Sequence, residues 1–135
     1  MIKNDGPFWP AQTKLALSIA LALSLSHPLS AANFEVTETT DYGKGNTQNT
    51  LSWAINQANL TPATDTITLQ TDITLAGIMK TMINSNLNII GNGKTIDGQH
   101  KYRPFLVKSG TVILSDLTIT HGQAKGGDSN RGGGG

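Results

Sequence analysis

The 135-residue chain has no cysteine, so it is not a disulfide-stapled miniature and its stability has to come from packing. Charge is sparse as well, at 14% of residues. Lys3, Lys14 and Asp5 stand in the N-terminal lead, and beyond residue 32 eight basic residues face eight acidic ones, leaving no net charge. That balance argues against a basic nucleic-acid binder and against electrostatic capture of phosphate or anionic lipid. Long hydrophobic runs are also scarce. The apolar stretch from Leu15 to Leu25 is much shorter than the ~20 residues a membrane-spanning helix requires, so it does not read as an anchor.

What is present is a repeating aliphatic pattern. Thr66-Ile67-Thr68-Leu69 is followed by Ile73-Thr74-Leu75, Leu87-Asn88-Ile89-Ile90 by Thr95-Ile96, and Val112-Ile113-Leu114 by Leu117-Thr118-Ile119. Each copy reads as two short strands joined by a turn, rich in β-branched residues and threonine. One such pair is too small to bury its own apolar edge, so the copies are expected to stack and share one hydrophobic column. Matching Leu69 to Ile89 and Ile89 to Val112 gives coil lengths of 20 and 23 residues. Pro104-Phe105-Leu106-Val107 predicts a further apolar strand.

The lead reads as an export signal. Lys3 and Lys14 accompany a polar start, Leu15 to Leu25 is almost wholly apolar, and Ser30-Ala31-Ala32 offers small residues for cleavage, expected after Ala32. Phe34-Glu35-Val36-Thr37-Glu38-Thr39 then alternates as a strand with one buried face. Leu51 to Asn59 carries apolar residues at helical spacing, with Thr50 as N-cap and Thr61-Pro62 as the stop. A strand and short helix ahead of the first repeat look like a lid on the stack. The tail from Gly122 is glycine-rich, cannot bury apolar surface and is expected to be flexible. With no coil or lid after the third copy, the chain reads as truncated after about three coils.

Leu51-Ser52-Trp53-Ala54-Ile55-Asn56-Gln57-Ala58-Asn59, Asp65-Thr66-Ile67, Ile89-Ile90-Gly91-Asn92-Gly93-Lys94-Thr95-Ile96-Asp97-Gly98, Arg103-Pro104-Phe105 and Leu117-Thr118-Ile119-Thr120-His121-Gly122 together resemble a known family. The similarity is to the N-terminal cap and first coils of pectin-lyase-like right-handed parallel β-helix proteins. It is greatest to the passengers of bacterial autotransporters and polymorphic outer-membrane proteins. The resemblance implies an all-β, right-handed parallel β-helix solenoid whose N-terminal cap contains one short α-helix. Its divisions would be a signal peptide at 1–32, a cap at 33–64, first coils at 65–123 and a glycine-rich tail at 124–135. The implied role is a non-enzymatic, adhesin-type passenger exported to the periplasm, outer membrane, cell surface or medium. Such a passenger contacts host-cell or bacterial surface components and is anchored through a C-terminal region absent here. The alternatives are the start of a β-helical polysaccharide lyase or hydrolase, or an inactive remnant.

Some relatives of this fold cleave acidic polysaccharides with carboxylates that hold Ca²⁺ and a basic residue that takes a proton. The candidates here are Asp97, Asp116, Lys101, Arg103 and His121. Their contexts favour plain roles: Asp97 precedes Gly98 in a turn, Asp116 follows Leu114 in a tight connection, and Lys101 and Arg103 read as solvated loop charges. About three coils leave no place for a cleft. Gly91-Asn92-Gly93-Lys94-Thr95 has Gly-Lys-Thr after a strand, but Asn88 stands where a phosphate loop needs glycine, and another strand follows instead of a helix. Gly126-Gly127-Asp128 is a single copy with too few oxygen ligands for Ca²⁺. His100 and His121 have no cysteine or spaced carboxylate partner, Trp53 reads as packed under the lid, and Asn59-Leu60-Thr61 matches a glycosylation acceptor only formally, with Pro62 directly after it. The reading therefore assigns no catalytic, cofactor-binding or metal residue, and no cofactor or nucleic-acid partner.

Overall fold

The computed structural model describes residues 30–126. The apolar core of the export segment and residues 127–135 of the tail lie outside these described residues. The elements are β1 (Asn33–Val36), β2 (Thr40–Asp41), α1 (Leu51–Ala58), β3 (Asp65–Leu69), β4 (Ile73–Leu75), β5 (Leu87–Asp97) and β6 (Val112–Thr120). The strands form one parallel sheet curled into a half-barrel, with a single helix among the described residues.

Two ladders build the curl. In one, β1 pairs with β3, β3 with the first half of β5, and that half with the start of β6. In the other, β2 pairs with β4, β4 with the end of β5, and that end with the end of β6. Successive segments therefore run in the same direction, each returning through a long connection, as parallel pairing requires. The long strands cross from one ladder to the other at a register shift between Ile90 and Lys94. The corner needs a residue without a side chain, because a Cβ on Gly91 would lie 2.1 Å from Leu117 Cβ. Along a third line of contact, Lys80 N–H donates to Gly43 O at 3.0 Å, and Ile83 bridges Val107.

Alternation along the strands sends one set of side chains inward. Phe34, Ile67, Ile89 and Leu114 fall in one column, and Ile73, Ile96 and Ile119 in another. Ile67, Ile89 and Ile96 are fully buried, a placement worth roughly 1.5–3 kcal/mol for each such side chain. The observed pairs are Ile67 with Ile89 and Ile89 with Leu114, so the separations are 22 and 25 residues rather than 20 and 23. The expected alignment placed Leu69 against Ile89. Leu69 instead ends its rung beside the corner, where the Asn92 amide donates to its carbonyl at 3.1 Å. A slip of two preserves which face each residue occupies, so the inward set is unchanged.

Two further expectations are corrected. The first strand ends at Val36, because the N–H groups of Thr37 and Glu38 both turn to Asn49 O, at 3.1 and 3.3 Å. Pro104 to Val107 is a single bridge rather than a strand, since Pro104 has no N–H to give a ladder. The bridge itself is formed by Ile83 N–H to Leu106 O and Lys108 N–H to Ile83 O, each 2.8 Å.

Helix α1 follows its sequence pattern. Thr50 caps it in an extended conformation and accepts from Trp53 N–H at 3.3 Å, while Leu51, Ala54, Ile55 and Ala58 are buried. It packs on β1 and β3, with half-buried Trp53 edge-on to Phe34 at a centroid distance of 6.0 Å. Asp41 fixes its first turn, accepting from Ser52 N–H at 2.6 Å and Ser52 Oγ–H at 2.7 Å. Asn59, just past the helix, reaches into the next coil. It accepts from Asn84 N–H at 2.9 Å and donates to Met82 O at 2.7 Å.

Candidate functional site

The second and third coils bring together most of the residues with candidate chemistry. β5 ends at Asp97, and the chain then turns through Gly98 to Arg103. The next coil passes directly beside it, with Gly98 N–H donating to Thr120 O at 2.9 Å and His100 N–H to His121 O at 2.8 Å. Gln99, His100 and His121 take positive φ of 58°, 57° and 49°, a region that costs a non-glycine residue roughly 1–2 kcal/mol. The turn is held against that cost by Asp97, whose Oδ1 accepts from Gln99 N–H and whose Oδ2 accepts from the Gln99 amide, both at 2.8 Å.

His121 Nδ1 lies 3.1 Å from Asp97 Oδ1, and the His121 ring stacks at a tilt on His100, 4.1 Å between centroids. The hydrogen bond from Gln99 N–H is the main cause holding the Asp97 carboxyl below the usual carboxylate range. Desolvation is the next largest effect and opposes it, while the hydrogen bond and charge attraction with His121 and the hydrogen bond from the Gln99 side chain lower the pKa further. His121 thus has a carboxylate partner after all, contrary to the sequence reading. The missed signal was the coil length: residues 97 and 121 are 24 apart, within the 22–25 residue spacing of the stack.

Lys101 and Arg103 extend from the same turn into a groove to which three successive coils contribute. Ile78 and Met79 come from the first, Lys101, Tyr102 and Arg103 from the second, and Gln123 to Lys125 from the third. Gln123 N–H donates to Tyr102 O at 3.1 Å and ties the last two together. The groove forms because corners of consecutive coils lie side by side. Its lining carries three exposed cations, Lys101, Arg103 and Lys125, and no carboxylate. The groove can therefore attract an anionic group, but it lacks a general acid and base facing each other.

Asp116 stays apart from this cluster. It sits at φ 50° in the corner between the two halves of β6, over Gly91. Gly91 to Thr95 lies inside β5 as the corresponding corner, with no helix after it, so the elements of a phosphate loop are absent at that position. Asp128 lies outside the described residues. Among the described residues, no group of three or more His, Asp or Glu side chains is arranged to hold a metal ion, and no helix is long and apolar enough to cross a membrane. Comparison with known proteins matches the chain to no family model, no curated protein and no solved structure.

Proposed function

We propose that this chain is an exported surface-display module, built as the cap and opening coils of a right-handed parallel β-helix, and that its role is contact with cell-surface components rather than catalysis. The observation that carries the reading is the contrast between inner and last rungs. Ile89 and Ile96 are fully buried, whereas Leu114 and Ile119, next in the same columns, are each 44% exposed. The stack thus has a closed first end beneath α1 and an apolar face at β6, the form of a scaffold that continues by adding rungs. Resemblance to autotransporter passengers supplies the biological role.

The basic groove favours the rival reading, a β-helical polysaccharide lyase or hydrolase. One assay separates the two. Full-length protein incubated with polygalacturonate and with intact bacterial or animal cells is expected to bind cells saturably and to release neither unsaturated uronide, the product of a lyase, nor new reducing ends, the product of a hydrolase. Release of either product that disappears in the Arg103→Gln variant would decide for the enzyme.

A further inference from the structure

Asp65 is fully buried at the start of β3. Its carboxylate is held by neutral donors, Ala32 N–H to Oδ1 at 2.7 Å and the Thr61 hydroxyl to Oδ2 at 2.5 Å. A buried carboxylate supported only by neutral donors leaves much of its desolvation cost uncompensated, and a cation at the same place would offset it. Among the described residues no lysine or arginine side chain pairs with this carboxylate. The carbonyl of Ala32 is used as well, accepting from Thr66 N–H at 2.9 Å to begin the first ladder. Removal of the leader after Ala32 would delete both groups and leave the buried carboxylate with the Thr61 hydroxyl as its remaining side-chain donor.

A cut after Ala32 sets Ser30 and Ala32 at the two small positions of an A-x-A-like site, whereas a cut after Ala31 keeps a small residue directly before it but sets Leu29 at the other position. The fold tells the two bonds apart. We infer that the leader is removed between Ala31 and Ala32, and that the α-ammonium of the new N-terminal Ala32 pairs with the buried carboxylate of Asp65. The cut is a hydrolysis by a signal-peptidase-type endopeptidase. Water oxygen bonds to the Ala31 carbonyl carbon, the bond from that carbon to Ala32 nitrogen breaks, Ala31 departs as a carboxylate, and the nitrogen takes up protons to become an ammonium. The atom already 2.7 Å from Asp65 thus gains a full positive charge without moving, and a neutral hydrogen bond becomes a charge-assisted one. Processing would then act as a latch: the precursor is the less stable form, suited to crossing a membrane unfolded, and the mature chain is locked at its first rung.

The inference rests on the export reading, and the test separates the two. The full chain is expressed in a bacterial host, and the exported form is characterised by intact mass and N-terminal sequencing. The expected first residue is Ala32. A chain exported and beginning at Asn33 overturns the inference alone, and a chain retained uncleaved in the cytoplasm overturns both. On the exported protein, the α-amine is expected to react with an acetylating reagent at neutral pH about tenfold more slowly than in an unfolded peptide of the same N-terminal sequence, the factor that one pH unit of tighter proton binding represents. Asp65→Asn is expected to abolish this protection. Should that variant fail to fold, Thr61→Ala, which keeps carboxylate and ammonium together, is expected to retain the slow reaction. An α-amine in the wild-type chain as reactive as the peptide's overturns the pairing.

Discussion

Asp41 is 1% exposed and accepts from Gly43 N–H, Ser52 N–H and Ser52 Oγ–H within 2.6–2.7 Å, joining the end of β2 to the first turn of α1. Truncating it would leave two backbone donors unsatisfied in a dry site, and each such donor costs roughly 1–3 kcal/mol. Asp41→Ala is therefore expected to lose about 3 kcal/mol or more in urea unfolding, well beyond a typical surface change. Asp97 is the half-buried counterpart. Its proton is held below the usual carboxylate range by Gln99 N–H first and His121 after it. Because the folded pKa is the lower one, any stability from this carboxylate is fully present above its unfolded value of about 3.9 and is lost as pH falls through the folded value. A carbon-detected NMR titration should place the Asp97 midpoint below that of a model aspartate, and His121→Ala should move it part of the way back while leaving the Gln99 contribution in place. A midpoint unchanged from the model value would contradict the hydrogen-bond geometry.

At the scale of elements, α1 was the most legible part of the chain. Thr50, the apolar spacing of Leu51, Ile55 and Ala58, and the Pro62 stop are all local signals. Thr50→Ala is expected to cost about 1 kcal/mol and Thr50→Ser much less, as measured by thermal or urea unfolding. Strand partners are set by what lies one coil away, and there the sequence was less exact. Leu69 and Ile89 are equally apolar and lie on the same parity, so pattern alone could not say that Leu69 abuts the corner. The two corner glycines make a paired test. At Gly91 an added methyl meets Leu117 Cβ and Asp116 O, whereas at Gly93 it meets nothing within 4 Å but must hold φ at +72°. Gly91→Ala should thus disrupt the β5–β6 ladder severely, while Gly93→Ala should cost only about 1–2 kcal/mol, the strain of a left-handed non-glycine residue. Equal losses at both sites would argue against the observed corner. The same non-local logic hid the Asp97, His100 and His121 cluster and the groove beside it, because each joins residues of neighbouring coils. Lys101 and Arg103 were visible as charges, but Lys125 gained meaning only when the third coil passed alongside them.

Across the whole molecule the apolar columns run from a helix-covered first rung to an exposed last one, and this gradient makes a position-dependent prediction. Ile89 and Leu114 occupy the same column one coil apart, the first fully buried and the second 44% exposed. A lysine at Ile89 has to place a charge in the core and is expected to unfold the chain. Lysine at Leu114, or at Ile119 in the second column, can extend its amine into water over the open face, so Leu114→Lys and Ile119→Lys are each expected to cost no more than about 1 kcal/mol. The apolar residues Ile113, Leu114 and Ile119 also leave a bare strand edge, the kind of surface that pairs with other chains unless a charge blocks it. The double variant Leu114→Lys/Ile119→Lys should therefore lower self-association in light scattering while leaving the circular-dichroism spectrum unchanged. If either lysine at the last rung unfolds the chain as thoroughly as lysine at Ile89, the β6 face is covered in the native protein and the stack does not end open.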